Sequence, residues 1–140
     1  MRGAEYKDLI RIVSIADDQV RVREFNTWCS SDENMKLLTD VFPIIFTTNI
    51  SSYHLGNKFL FDTVIMDEAG QCALAISLIP ISKAKALLLV GDEDQLASVG
   101  PGSVLKDLIH SEEITTIHLD KIFRQAAKSS NFASTLVSVV

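Results

Sequence analysis

Val64-Ile65-Met66-Asp67-Glu68-Ala69-Gly70-Gln71 sets an apolar run directly against two adjacent carboxylates, and the chain on either side is read outward from that junction. Thr63 to Met66 has the pattern of a buried strand, because both of its alternating faces are apolar. A second such run, Ala86-Leu87-Leu88-Leu89-Val90, closes on Gly91-Asp92, and between the two lies Cys72 to Ile79, a helix-length apolar segment stopped by Pro80. Strand, helix and strand in this order make a right-handed crossover, which predicts a parallel sheet flanked by helices. Ile44-Ile45-Phe46-Thr47-Thr48 reads as a further buried strand on the same grounds. Downstream, Ser103 caps an expected helix to Ile109, a strand follows at Ile114 to Leu119, and a last helix is expected near Asn131 to Val139.

Upstream of this α/β unit the pattern changes. From Glu5 to about Cys29, Leu9, Ile12, Val13, Ala16, Val20, Phe25 and Trp28 recur at helical intervals, although Ile10 to Ile15 also fits a strand. Ser31 or Asp32 caps a second helix through Asp40, and Pro43 ends it. The expected organisation is a helical lead-in over 1–40, an α/β core over 41–125 and a C-terminal helix over 126–140.

Composition narrows the class. At 140 residues and 47% apolar, the chain matches one ordinary domain with a real core. Its net charge of -5 comes from 18 acidic and 13 basic residues, with no Lys or Arg run that would mark a free-standing nucleic-acid patch. Cys29 and Cys72 form no C-x-x-C pair, and His54, His110 and His118 have no ligand spacing, so neither zinc nor a redox pair is signalled. No secretory signal or membrane-length apolar run occurs, and the expected compartment is the cytoplasm.

In a parallel sheet, polar groups just beyond the carboxyl ends of strands line the ligand crevice. Asp67, Glu68, Asp92 and Thr48 all fall at such ends. A carboxylate at a strand tip holds Mg²⁺, usually through water, and its neighbour accepts a proton from water attacking a γ-phosphate. Asp67 is therefore assigned to the metal and Glu68 to the base. The alternative for an isolated Asp-Glu pair is a solvated turn or a helix cap. Gly91-Asp92-Glu93-Asp94-Gln95-Leu96 weighs against it, because Gly91 permits a tight strand exit and the Gln95 amide is placed to report on a terminal phosphate.

These residues resemble a known family. Asp67-Glu68-Ala69-Gly70-Gln71 is similar to helicase motif II, Gly91 to Leu96 to motif III, and Ile122-Phe123-Arg124-Gln125 to motif IV, in the order and spacing of superfamily 1 helicases. Gln95 to Leu105 resembles the RecD-like branch; Phe61-Asp62 leading into Asp67 resembles the nonsense-decay-type branch. The resemblance implies a partial RecA-like fold of the P-loop NTPase type, using ATP and Mg²⁺ to move along single-stranded DNA or RNA. It implies that Asp67, Gly91 and Asp92 face the nucleotide, that Glu68 activates water with help from Gln71, and that Gln95 senses the γ-phosphate. Arg124 would stabilise transition-state charge as an arginine finger does. Thr47 and Thr48 resemble strand-end threonines that contact the nucleic-acid backbone, although Thr at such positions also serves β-propensity alone.

One element of that family is missing from these residues. A phosphate-binding loop requires G-x-x-x-x-G-K-[ST], and none of the six glycines is followed by Lys. The expectation is a fragment, a truncated product or a remnant, whose partners are the missing phosphate-loop segment and a second RecA-like domain. A non-catalytic binding module on the same fold is the rival reading. A receiver domain, with Ile10 to Asp18 as a strand and Asp67 as phosphoacceptor, is a weaker one, since no Lys-Pro follows.

Overall fold

The computed structural model describes residues 2–92, 102–119 and 134–139, which fall into two compact units, Met1–Phe59 and Leu60–Val140. In the first, α1 (Arg2–Val13), α2 (Asp18–Cys29) and α3 (Asp32–Val41) are followed by a 3₁₀ turn at Ser51–His54. The helical reading of the lead-in holds, and the strand alternative at Ile10 to Ile15, which the receiver reading used, does not. What the periodicity missed is a break after Val13, where Asp17 starts α2 by accepting the Val20 N–H at 2.9 Å. A side-chain oxygen at that position satisfies an amide the first turn leaves free. Ser31 does the same for α3, accepting from the Asn34 N–H at 3.4 Å. Ile12, Trp28, Cys29, Met35, Leu38 and Leu55 form the buried interior of this unit.

Ile44 to Thr48, expected as a strand, is not one. Pro43 donates no hydrogen bond, Thr48 and Ser51 close a turn immediately afterwards, and Phe46 stands 94% exposed. β-propensity without a ladder partner does not make a strand.

The second unit carries a four-stranded sheet of β1 (Phe61–Met66), β2 (Ala84–Gly91), β3 (Thr115–Leu119) and β4 (Ser134–Val139) in the order β1-β2-β4-β3. β1 and β2 are parallel, with Val64 opposite Leu87 and Met66 opposite Leu89, and α4 (Leu74–Ile81) connects them. The crossover read from the sequence is thus present, although Pro80 lies inside the last turn of α4 rather than beyond it. β3 runs in the direction of β1 and β2, whereas β4 pairs antiparallel to both β2 and β3. Over Ser134–Val139, the helix expected near Asn131 to Val139 is therefore corrected to a strand, and the sheet is mixed. Thr135, Val137 and Val139 are β-branched; ladders on both sides hold Thr135 and Val137 extended, and the β2 ladder holds Val139.

Met66, Leu87 and Leu89 share one sheet face and pack with Ala69 and with Val104 and Leu105 of α5 (Val104–Ser111). Ser103 stands at the cap position of α5, but its hydroxyl makes no cap bond and is buried without a hydrogen-bond partner. Between β1 and β2, Lys85 Nζ donates to Asp62 Oδ1 at 2.7 Å, and this bond and charge hold the Asp62 carboxyl below the usual carboxylate range. Among the described residues no helix is long and apolar enough to cross a membrane.

Leu89 is fully buried while Ile65 is 64% exposed on the opposite face. Leu89→Ala is expected to cost about 2–5 kcal/mol in urea unfolding and Ile65→Ala no more than about 0.5 kcal/mol. A second expectation concerns Cys29, whose thiol burial pushes up from 9.0 to about 11. The unfolded thiol ionises first, so stability is intact below pH 9.0 and falls as pH rises toward 11. Unfolding curves across that window should lose this part of their slope in Cys29→Ala.

Candidate functional site

Met66 and Ala69 are both buried, so the chain leaves the core after β1 and returns to it three residues later, with only Asp67 and Glu68 in solvent between them. Such a short excursion demands an unusual backbone. Glu68 supplies it by adopting the left-handed conformation, φ 53° and ψ 37°. That region costs an L-residue about 1–2 kcal/mol, and only surrounding contacts keep a glutamate there.

The contacts are specific. Asp67 Oδ1 accepts the Glu68 N–H at 3.0 Å. The Glu68 carbonyl accepts the Gln71 N–H at 3.0 Å and the Cys72 thiol at 3.7 Å. Gln71 Nε2 donates to Glu68 Oε2 at 3.4 Å, so the amide side chain orients the carboxylate directly. The 3₁₀ turn Ala69–Gln71 then carries the chain toward α4.

Against this turn lies the end of β2. A Cβ on Gly70 would stand 2.7 Å from the Asp92 carbonyl oxygen, and one on Gly91 3.0 Å from Gly70 N and 3.2 Å from Ala69 N. The two segments therefore touch backbone to backbone, which only glycine permits at both positions. Asp92, 7% exposed, follows directly. The sequence placed Asp67, Glu68, Asp92 and Thr48 at strand ends, and the structure brings together the segments that carry Asp67, Glu68, Gln71, Gly91 and Asp92.

Thr47 and Thr48 belong to the first unit; Thr48 Oγ1 accepts the Ser51 N–H at 3.1 Å and donates to Ser51 Oγ at 2.9 Å, which occupies it in a local turn. Gln95 and Arg124 lie outside the described residues. Gly70 was not singled out from the sequence as a site residue, although a glycine two places after a carboxylate pair is a visible sign of close backbone approach. An open groove of about 650 Å³ in the first unit, lined by Asp18, Val22, Asn26, Thr27 and His54 among others, includes none of Asp67, Glu68 and Asp92.

Among the described residues no group of three or more His, Cys, Asp or Glu side chains is assembled to hold a metal ion alone. Asp67 fits the smaller share that Mg²⁺ asks of a protein beside a nucleotide, where one or two carboxylates suffice and water and phosphate oxygens complete the shell. A phosphate cradle is not matched by any glycine-lysine sequence in these residues.

A parallel β-α-β crossover whose two strand ends meet beside exposed carboxylates defines an α/β fold of the P-loop NTPase type, present here in part. The AAA domain family matches residues 13–100, more than half of the chain, and the chain belongs to that family as a superfamily 1 helicase-like member. Over 66 residues it is 36% identical to RecBCD enzyme subunit RecD of Mycolicibacterium smegmatis, a stretch covering 45% of this chain and 12% of that protein. Over 69 residues it is 42% identical to DNA replication ATP-dependent helicase/nuclease JHS1 of Arabidopsis thaliana, covering 49% of this chain and 5% of that protein. The chain thus spans a small part of the relatives it matches. No solved structure matches it.

Replacing Glu68 with glycine should relieve the left-handed strain while removing the carboxylate. Glu68→Gly is expected to raise the unfolding free energy by about 0.5–1 kcal/mol, and Glu68→Val to lower it by at least as much, in parallel urea titrations.

Proposed function

We propose that this chain supplies the acidic side of an ATP-hydrolysing site in a helicase motor that moves along single-stranded nucleic acid. The observation that carries the reading is the backbone contact between the Asp67–Gln71 turn and the Gly91-Asp92 strand end, which sets two carboxylate segments beside each other at the carboxyl ends of parallel strands. Magnesium and ATP, when bound, supply the phosphoryl group and neutralise its charge. Asp67 would hold the metal, while its Oδ1 accepts the Glu68 N–H. Glu68 Oε1 or Oε2 takes the proton from the attacking water, and Gln71 restrains the rotation of that carboxylate.

Asp92 and Gly91 border the nucleotide in this reading. By resemblance, Gln95 senses the γ-phosphate and Arg124 stabilises charge in the transition state. Thr47 and Thr48 contact the nucleic-acid backbone. Likeness to the DNA replication ATP-dependent helicase/nuclease JHS1 of Arabidopsis thaliana supports DNA as the natural strand.

The 140 residues alone, having no G-x-x-x-x-G-K-[ST], are expected to show negligible ATP turnover with or without single-stranded DNA. Joined to a strand and loop of that sequence, they should turn over ATP, and Glu68→Gln should lower kcat by about 10²–10⁴-fold with little change in KM. Full turnover in Glu68→Gln would rule out Glu68 as the base. If the joined protein binds ATP and stays inert whatever occupies position 68, the non-catalytic binding module is the better description.

A further inference from the structure

The two glycines at the site do more than save space. Gly70 meets the carbonyl oxygen of Asp92, and Gly91 meets the amide nitrogens of Ala69 and Gly70, so each segment rests on the backbone of the other. Backbone has no rotamers with which to absorb a displacement. Glu68 sits one residue before this contact, in a conformation its own stereochemistry disfavours, and Met66 fixes the other side of the turn. A shift of the Asp92 peptide therefore has one short path to follow, through Gly70 into the φ and ψ of Glu68.

We infer that Gly70 and Gly91 are positioning residues: their contact holds Glu68 left-handed and passes movement of the strand end at Asp92 to the Glu68 carboxylate. The inference rests on the proposed role of Glu68 for its catalytic meaning. The coupling itself is a property of the backbone and is testable without nucleotide. It links the strand end at Asp92 with the proton-accepting group, so that a change felt by one alters the aim of the other.

The alternative is that the glycines merely allow tight packing and Glu68 is held by its own hydrogen bonds to Asp67, Gln71 and Cys72. The two accounts differ in what happens to Glu68 when the contact is spread. A methyl at position 70 meets backbone, which cannot swing aside. At position 91 it meets Leu105 Cδ2 at 2.9 Å as well as Gly70 N, and Leu105→Ala removes the side-chain part of that clash while leaving the backbone part.

The experiment is NMR on the full chain, reading the strong intraresidue amide–Hα contact that positive φ produces at Glu68. Gly70→Ala and the double variant Gly91→Ala/Leu105→Ala should both lose or weaken that signal, while the interstrand contacts of the β1–β2 pairing, Thr63 opposite Ala86 among them, stay in place. An unchanged Glu68 signal in either folded variant overturns the coupling. Should neither variant fold, relaxation dispersion on the unmodified chain decides: a common exchange rate at Glu68, Gly70, Gly91 and Asp92 supports it, and unrelated rates or no exchange refute it. In the turnover-competent joined protein, Gly70→Ala should lower kcat by about 10²-fold at nearly constant KM. Loss of the coupling leaves the role of Glu68 standing, whereas full turnover in Glu68→Gln removes that role and leaves the coupling intact.

Discussion

Burial of Leu89 and Leu105 against each other's elements determines where β2 ends, and nearly every feature of the site depends on that position. Both side chains are fully buried, and together with Met66 and Leu87 they tie β1, β2 and α5 into one apolar layer. With β1 and β2 paired in register from Phe61 opposite Ala84 to Met66 opposite Leu89, the two strands deliver Asp67 and Gly91-Asp92 to the same end of the sheet. The chemistry is thus placed by packing several residues away from any charge.

Much of this was legible because β1 and β2 each carry a short apolar run, at 64–66 and 86–90, that ends abruptly beside an acid, and because α4 between them has helix length. The order strand, helix, strand leaves few topologies open. Two segments were misread for related reasons. Ile44 to Thr48 carries strong β-propensity, yet strand formation needs a partner that no local pattern reports. Ser134 to Val139 shows mixed apolar and hydroxyl residues that fit a helix as well as a strand over so short a length, and the ladders on both sides determine the outcome.

The backbone of Glu68 lay beyond the sequence altogether. Convention would put the left-handed residue at Gly70, where a missing Cβ costs nothing. The structure gives the positive φ to the glutamate instead and reserves both glycines for a contact between segments far apart in the chain. Long-range proximity of that kind cannot be inferred from residue types alone. The family match and the two relatives agree with the coarse reading, and the family match, over residues 13–100, includes both carboxylate segments.

The mixed sheet has a consequence for how the chain reaches this state. β1, α4 and β2 are consecutive and can pair as soon as they are made, but the β2–β4 ladder joins Leu87 to Val139 and must await nearly the whole of the second unit. Closing so long a loop adds little to the equilibrium cost, since doubling its length takes only about 0.6 kcal/mol, yet it delays the event. During that interval the inner edge of β2, one of the most apolar strands in the molecule, has unpaired amides and carbonyls. An edge of this sort pairs readily with other chains. The last strand to arrive therefore governs the yield of soluble protein more than its final stability.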